Sequence, residues 1–311
     1  SMIDDAIEKQ KGINILLPNG HYPAEKQKAL GLEVMKLLQF DFEHGRLDES
    51  VHPFCGGVPT DVRITTRYDE KEFVQSLMGI VHETGHARYE QGLPKSLAGT
   101  MAGQARSMGI HESQSLFFEM QVGRSQAFVE HLARLASNHF EGPECAQDKL
   151  SKIYTHVEKG FNRVDADELT YPAHVILRYE IERDLMNGVI KHTDVPELWN
   201  EKMKAYLGLS TEGNFKNGCM QDIHWTDGAF GYFPSYTLGA MYAAQFMAAM
   251  KQTVDVDGAI RSGDLSPIFT WLSDNIWSKG SLFSTDELVT QATGEVLNAK
   301  HFKTHLENRY L

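Results

Sequence analysis

The chain has 311 residues, 41% hydrophobic and 23% charged, a balance that supports one large or two smaller globular domains with a sizeable core and excludes a disordered chain. Its 42 acidic side chains outnumber 30 basic ones, and the formal charge of −12 repels a phosphate backbone, which excludes nucleic acid as a partner. Cys55, Cys145 and Cys219 are odd in number, far apart and form no Cys-x-x-Cys pair, which argues against a disulfide framework or thiolate metal cluster and points to a reducing cytoplasm.

In chain order, Ser1 ahead of Met2 reads as a cloning remnant, and no basic stretch leading into an apolar run follows it, so no secretory signal is expected. Apolar residues at three- and four-residue intervals predict a first long helix from Ala24 to Phe42. Asp61 to Tyr68 is the best strand, with Val62, Ile64 and Thr66 alternating against polar neighbours. Helical spacing then returns over Glu72 to Gln91, Ser113 to Phe140, Asp148 to Phe161, Pro172 to Met186 and Ser235 to Met250. The most apolar window, Tyr236 to Met250, is too short to span a membrane and carries Gln245. With no repeat and no long Pro/Gly/Ser linker, the expectation is one continuous domain over 1–311, mainly α, with a small β-sheet beside the helical body.

The helix that begins near Asp69 and ends at Gly92 contains His82-Glu83-Thr84-Gly85-His86, a His-Glu-x-x-His pattern. One turn apart, His82 and His86 lie about 40° from each other around the axis and can meet one metal ion. Glu83 then faces the open side, where it can take a proton from the water that attacks a peptide carbonyl, giving hydrolysis without a covalent intermediate. The third ligand cannot be Glu90, which sits roughly 6 Å beyond His86 along the axis, nor a metzincin histidine, since Tyr89 and Gly92 stand where its pattern needs glycine and histidine. Gly109 to Ser115 offers Glu112, with His111 as the alternative.

Five segments together resemble the Taq-type thermostable metallocarboxypeptidase family: His52-Pro53-Phe54, Asp61-Val62-Arg63-Ile64-Thr65, His82 to His86, His111-Glu112-Ser113-Gln114-Ser115, and Gln221-Asp222-Ile223-His224-Trp225 running into Gly231 to Tyr236. The resemblance implies a helical, gluzincin-like catalytic body. It implies Zn2+, with Co2+ or Mn2+ as alternatives, held by His82, His86 and Glu112, with Glu83 as general base. It implies peptide substrates with a free C-terminus and, as assembly, a homodimer. His224 and Tyr236 resemble the family's donors to the developing oxyanion, with Tyr232 beside them. Arginine's planar fork suits an α-carboxylate, and of Arg63, Arg67, Arg163 and Arg178 the resemblance of Asn162 to Tyr171 to a family loop favours Arg163. His52 and Asp61 to Thr65 are expected at a strand edge beside the cleft, in support rather than chemistry.

Family members usually carry a helical region ahead of the segment resembling Asn14 to Arg46, and here it is missing. The carboxypeptidase reading therefore stands beside two others: a truncated, weak or inactive metal-binding fragment, and a related helical endopeptidase or dipeptidase that needs no Arg163.

Overall fold

The computed structural model describes residues 1–51 and 53–311, so the reading of His52 lies outside the described residues. In chain order the elements are α1 (Met2–Lys9), α2 (Ala24–Leu37), β1 (Gly45–Glu49), β2 (Phe54–Val58), β3 (Asp61–Thr66), α3 (Val74–Gly92) and α4 (Met108–Leu116). A π-helical segment (Phe117–Gly123), α5 (Gln126–His139), α6 (Gln147–Tyr154), α7 (Tyr171–Met186), α8 (Val195–Leu207) and α9 (Pro234–Met250) follow. The chain closes on α10 (Val256–Ser262), α11 (Ser266–Asn275), α12 (Thr285–Thr293) and α13 (Ala299–Tyr310). The fold is mainly α with a small sheet, as the periodicity predicts. It divides into two compact units, the first of Ser1–Ile13, Thr155–Leu238 and Leu306–Leu311, the second of Asn14–Tyr154 and Gly239–His305.

In the second unit the sheet order is β1-β3-β2, with β1 parallel and β2 antiparallel to β3. Asp61 to Thr65 therefore occupies the centre, not an edge as expected: both sides of β3 are already paired. Its legibility comes from one face: Val62, Ile64 and Thr66 are fully buried, while Asp61 and Arg63 between them keep about half of their side chains exposed, the alternation of a strand with one face on the core. The edge strands Gly45–Glu49 and Phe54–Val58 carry glycines and only broken alternation. Val62 and Ile64 pack with Met35, Phe40, Leu47, Ile80 and Ala87 into one core cluster. Burial of such a side chain contributes about 1.5–3 kcal/mol, so the cluster fixes α3 against the sheet.

Three helices end earlier than their apolar spacing predicts. Gln39 adopts a left-handed φ of 57°, and Phe40 N–H donates to the Met35 carbonyl at 2.9 Å, a helix-terminating reversal that stops α2 before Phe42. Instead of one helix from Ser113 to Phe140, the chain winds into the π-helical segment, breaks at Arg124 and restarts as α5 on a Ser125 cap whose hydroxyl accepts from Phe128 N–H. The helix expected over Asp148 to Phe161 stops at Tyr154.

In the first unit α7 and α8 pair through Leu177, Ile181, Trp199, Met203 and Leu207. Arg178 lies fully buried among them, its Nε donating to Asp222 and its Nη1 to Glu182 Oε2 at 2.6 Å, with its guanidinium carbon 3.2 Å from the Trp225 ring centroid. His174, 2% exposed on the same helix, is kept neutral: burial, reinforced by the charge of Arg163, lowers its pKa to about 4. Its unfolded value is about 6.5, so the stabilising preference for the neutral ring is fully present above that pH. It is lost as pH falls from there through 4, in all about 3 kcal/mol. Urea midpoints at pH 7 and pH 4 should show this loss in the wild type and a smaller one, by about that amount, in His174→Phe; identical losses would sink the assignment.

Candidate metal centre

α3 carries His82, Glu83 and His86 and crosses α4, which carries Glu112. The crossing is close because residue 85 is glycine: a Cβ there would lie 2.5 Å from the Gln114 carbonyl oxygen and 2.6 Å from the Ser115 Cα. Without that approach Glu112 would stop short of the histidines. On the far side of Glu112, Gly239 of α9 leaves room in the same way, since a Cβ there would meet the Glu112 Cγ at 2.6 Å. The outcome is that His82, His86 and Glu112 each offer a ligand atom within 4.8 Å of one another. His86 Nε2 stands 3.4 Å from Glu112 Oε2. Glu83 is buried beside them, and its Oε2 has no hydrogen-bond partner.

Each histidine is oriented by a group behind it. His82 Nδ1 donates to Glu119 Oε2 at 2.8 Å, and Arg124 donates to the other carboxylate oxygen at 2.6 Å, leaving His82 Nε2 for a metal. Glu119 was invisible to a helical reading of the sequence because it lies in the π-helical segment, whose wider turn changes the face each residue presents. His111, the alternative ligand, is turned away: its Nδ1 is 2.7 Å from His86 Nδ1 and its Nε2 is 2.8 Å from Glu90 Oε1.

The electrostatics follow from burying these charges together. Burial is the largest influence on His86 and lowers its pKa to about 4, so it is neutral at pH 7, as a ligand must be. Burial also disfavours the His82 cation, but the Glu119 hydrogen bond and the carboxylates of Glu112, Glu119 and Glu83 outweigh it and raise the value to about 10. A site that stabilises a cation this strongly suits a dication that displaces the proton. Burial raises Glu83 to about 7 against the opposing charge of His82, with the carboxylates of Glu112 and Glu119 adding to the rise, the range in which a general base works best near neutral pH.

In the first unit the structure gathers the other expected residues. His224 Nδ1 is 2.7 Å from Asp222 Oδ1 and its Nε2 is 3.0 Å from the Tyr236 hydroxyl. The Tyr232 ring lies 5.3 Å from that of Tyr236 and 5.7 Å from His224, centroid to centroid. The Arg163 guanidinium donates to the Tyr171 hydroxyl at 2.8 Å and sits 4.9 Å from the Tyr236 ring centroid. Of the other arginine candidates, Arg178 is committed to Asp222 and Glu182, and Arg63 to the exposed Asp61.

Two neutral-capable imidazoles one turn apart, a buried carboxylate from a crossing helix and an unpartnered acid beside them fit a divalent metal with an open position, the donor set of a metal centre of the His-Glu-x-x-His class. A family model described as Carboxypeptidase Taq (M32) metallopeptidase matches residues 1–310, and the chain belongs to that family. It is 41% identical over 295 residues to Carboxypeptidase 1 of Bacillus subtilis, an alignment covering 93% of this chain and 58% of that protein. Thermostable carboxypeptidase 1 of Pyrococcus furiosus is 35% identical over 324 residues, 100% of this chain and 63% of that one. The solved structure of Trypanosoma cruzi metallocarboxypeptidase 1 superposes with a TM-score of 0.97 at 52% identity, covering 99% of this chain and 65% of the other. This chain thus spans less than two thirds of each of these relatives. Among the described residues no helix is long and apolar enough to cross a membrane.

Proposed function

We propose that this chain carries a zinc-dependent carboxypeptidase centre that hydrolyses the C-terminal peptide bond of peptides. The observation that carries the reading is the meeting of His82, His86 and Glu112 next to a buried Glu83 whose Oε2 is unpartnered. When bound, zinc, or cobalt or manganese in its place, polarises the peptide carbonyl and acidifies the attacking water. Glu83 accepts the proton of that water and passes it to the leaving amine. His224 and Tyr236 donate to the oxygen on which charge develops. Arg163, beside the rings of Tyr171, Phe233 and Tyr236, holds the free α-carboxylate through its planar fork, with Tyr232 next to Tyr236 as a further contact for the substrate. These last roles rest on the family resemblance of the segments that carry them.

The test uses the metal-loaded protein with a blocked dipeptide bearing a free C-terminus and with the same peptide as its amide. Release of the terminal amino acid from the acid alone, abolished by chelation, is the expected result. Equal cleavage of the amide would make the protein an endopeptidase or dipeptidase; stoichiometric metal binding with no cleavage of either would make it a metal-binding fragment.

A further inference from the structure

We propose that His111 and Glu90 form a relay that fixes the tautomer of His86, so that a side chain two groups removed from the metal sets the affinity of the site. The inference rests on the metal centre proposed above and adds two positioning residues to it. For His86 Nε2 to offer a lone pair to a metal, its proton must sit on Nδ1. At 2.7 Å the atom facing Nδ1 is His111 Nδ1, which must then be the acceptor. A neutral His111 accepting at Nδ1 carries its proton on Nε2, and the atom facing Nε2 at 2.8 Å is Glu90 Oε1. A carboxylate can only accept, so Glu90 holds the neutral His111 as its Nε2–H form and favours one polarity: His86 donates to His111 at 2.7 Å and His111 donates to Glu90 at 2.8 Å, against the longer 3.4 Å approach of Glu112 to His86 Nε2. If the polarity were reversed, His86 would hold its proton on Nε2, facing Glu112, and could not bind metal.

The two histidine ligands are thus held by different devices. His82 meets its carboxylate directly, and Glu119 is itself locked by Arg124. On its Nδ1 side His86 meets a carboxylate only through a second imidazole, whose ring lies 4.7 Å from its own, centroid to centroid. The spacing of α3 explains the difference: Glu90 is four residues beyond His86 on the same face, and His111, entering from α4, bridges the turn between them. Both His111 and Glu90 are largely removed from solvent, with 15% and 25% of their side chains exposed, so water competes little for either hydrogen bond.

The experiment measures affinity for Zn2+ and Co2+ by competition with a chromogenic chelator, in wild type, His86→Ala, His111→Phe, His111→Asn, Glu90→Gln and the double variant His111→Asn/Glu90→Gln. Circular dichroism melting of each metal-free protein reports folding. His111→Phe keeps the ring but removes the acceptor, and should weaken binding about 10–100-fold, the range for outer partners of metal ligands. His111→Asn places a carbonyl oxygen near the Nδ1 position and should restore most of that loss. Glu90→Gln, which can donate as well as accept and so no longer dictates direction, should weaken binding about tenfold in the wild-type background, yet change it less than about twofold beside His111→Asn, where the acceptor no longer depends on Glu90. A purely structural role for Glu90 would give the same loss in both backgrounds. Wild-type affinity in folded His111→Phe, or equal losses for Glu90→Gln in both backgrounds, overturns the relay alone. Metal binding that does not depend on His86 overturns the centre and the relay together.

Discussion

Glu83→Gln is expected to lower the release of C-terminal amino acids by at least about 10²–10⁴-fold, the usual contribution of a positioned general base, while metal binds at the wild-type stoichiometry. The substitution keeps the shape of the side chain and leaves His82, His86 and Glu112 in place. What it removes is the proton acceptor, a carboxyl that burial and the neighbouring acids lift to about 7. Single-turnover rates on a blocked dipeptide, with metal content measured on the same samples, separate the two effects. A variant that keeps more than a tenth of the wild-type rate with metal bound would sink the role of Glu83; a variant that loses metal would instead assign Glu83 to holding the site together.

The centre was partly legible because a helix converts spacing into geometry. His82 and His86 had to share a face once the helix over α3 was read, and Glu83 had to flank them. Glu112 needed more: its distance to the histidines is set by the helix crossing that Gly85 permits, and no local pattern encodes a crossing. Glu90 was set aside for a sound reason, its rise along the axis, and that reason still holds. Its part is played through His111, a contact between helices twenty-one residues apart that spacing along one helix cannot reveal. Glu119 was lost because the segment read as an ordinary helix winds as π.

The fold was legible to a similar depth. The β-branched centre of the sheet stood out while its glycine-bearing edges did not. One continuous stretch over 1–311 was the natural linear reading, yet the first compact unit is assembled from three separated segments. Nothing in composition marks those joins, since each unit buries its own apolar face and the chain crosses between them without a linker-like sequence.

Arg178 shows the same limit in the choice of a carboxylate-binding arginine, where type and neighbourhood could not separate it from Arg163. Burial separates them. Its side chain is 0% exposed, against 3% for Asp222 and 7% for Glu182, so its charge is consumed inside the first unit. Arg178→Met is expected to cost about 3–5 kcal/mol of unfolding free energy, because it strands two carboxylates that cannot reach water. Adding Glu182→Gln and Asp222→Asn to Arg178→Met should recover much of that loss, since the penalty belongs to the stranded charges and not to the missing cation. Urea midpoints of the single and triple variants decide the matter: a single-variant loss below about 1 kcal/mol, or a triple variant no more stable than the single, would refute the account. The consequence reaches the chemistry as well. Asp222 accepts from Arg178 at one oxygen and faces His224 Nδ1 at 2.7 Å through the other, so releasing Arg178 frees the carboxylate that orients the ring beside Tyr236. The single variant should therefore lose catalytic rate even at temperatures where it is fully folded, while metal affinity, which depends on α3 and α4 in the other unit, stays at the wild-type value.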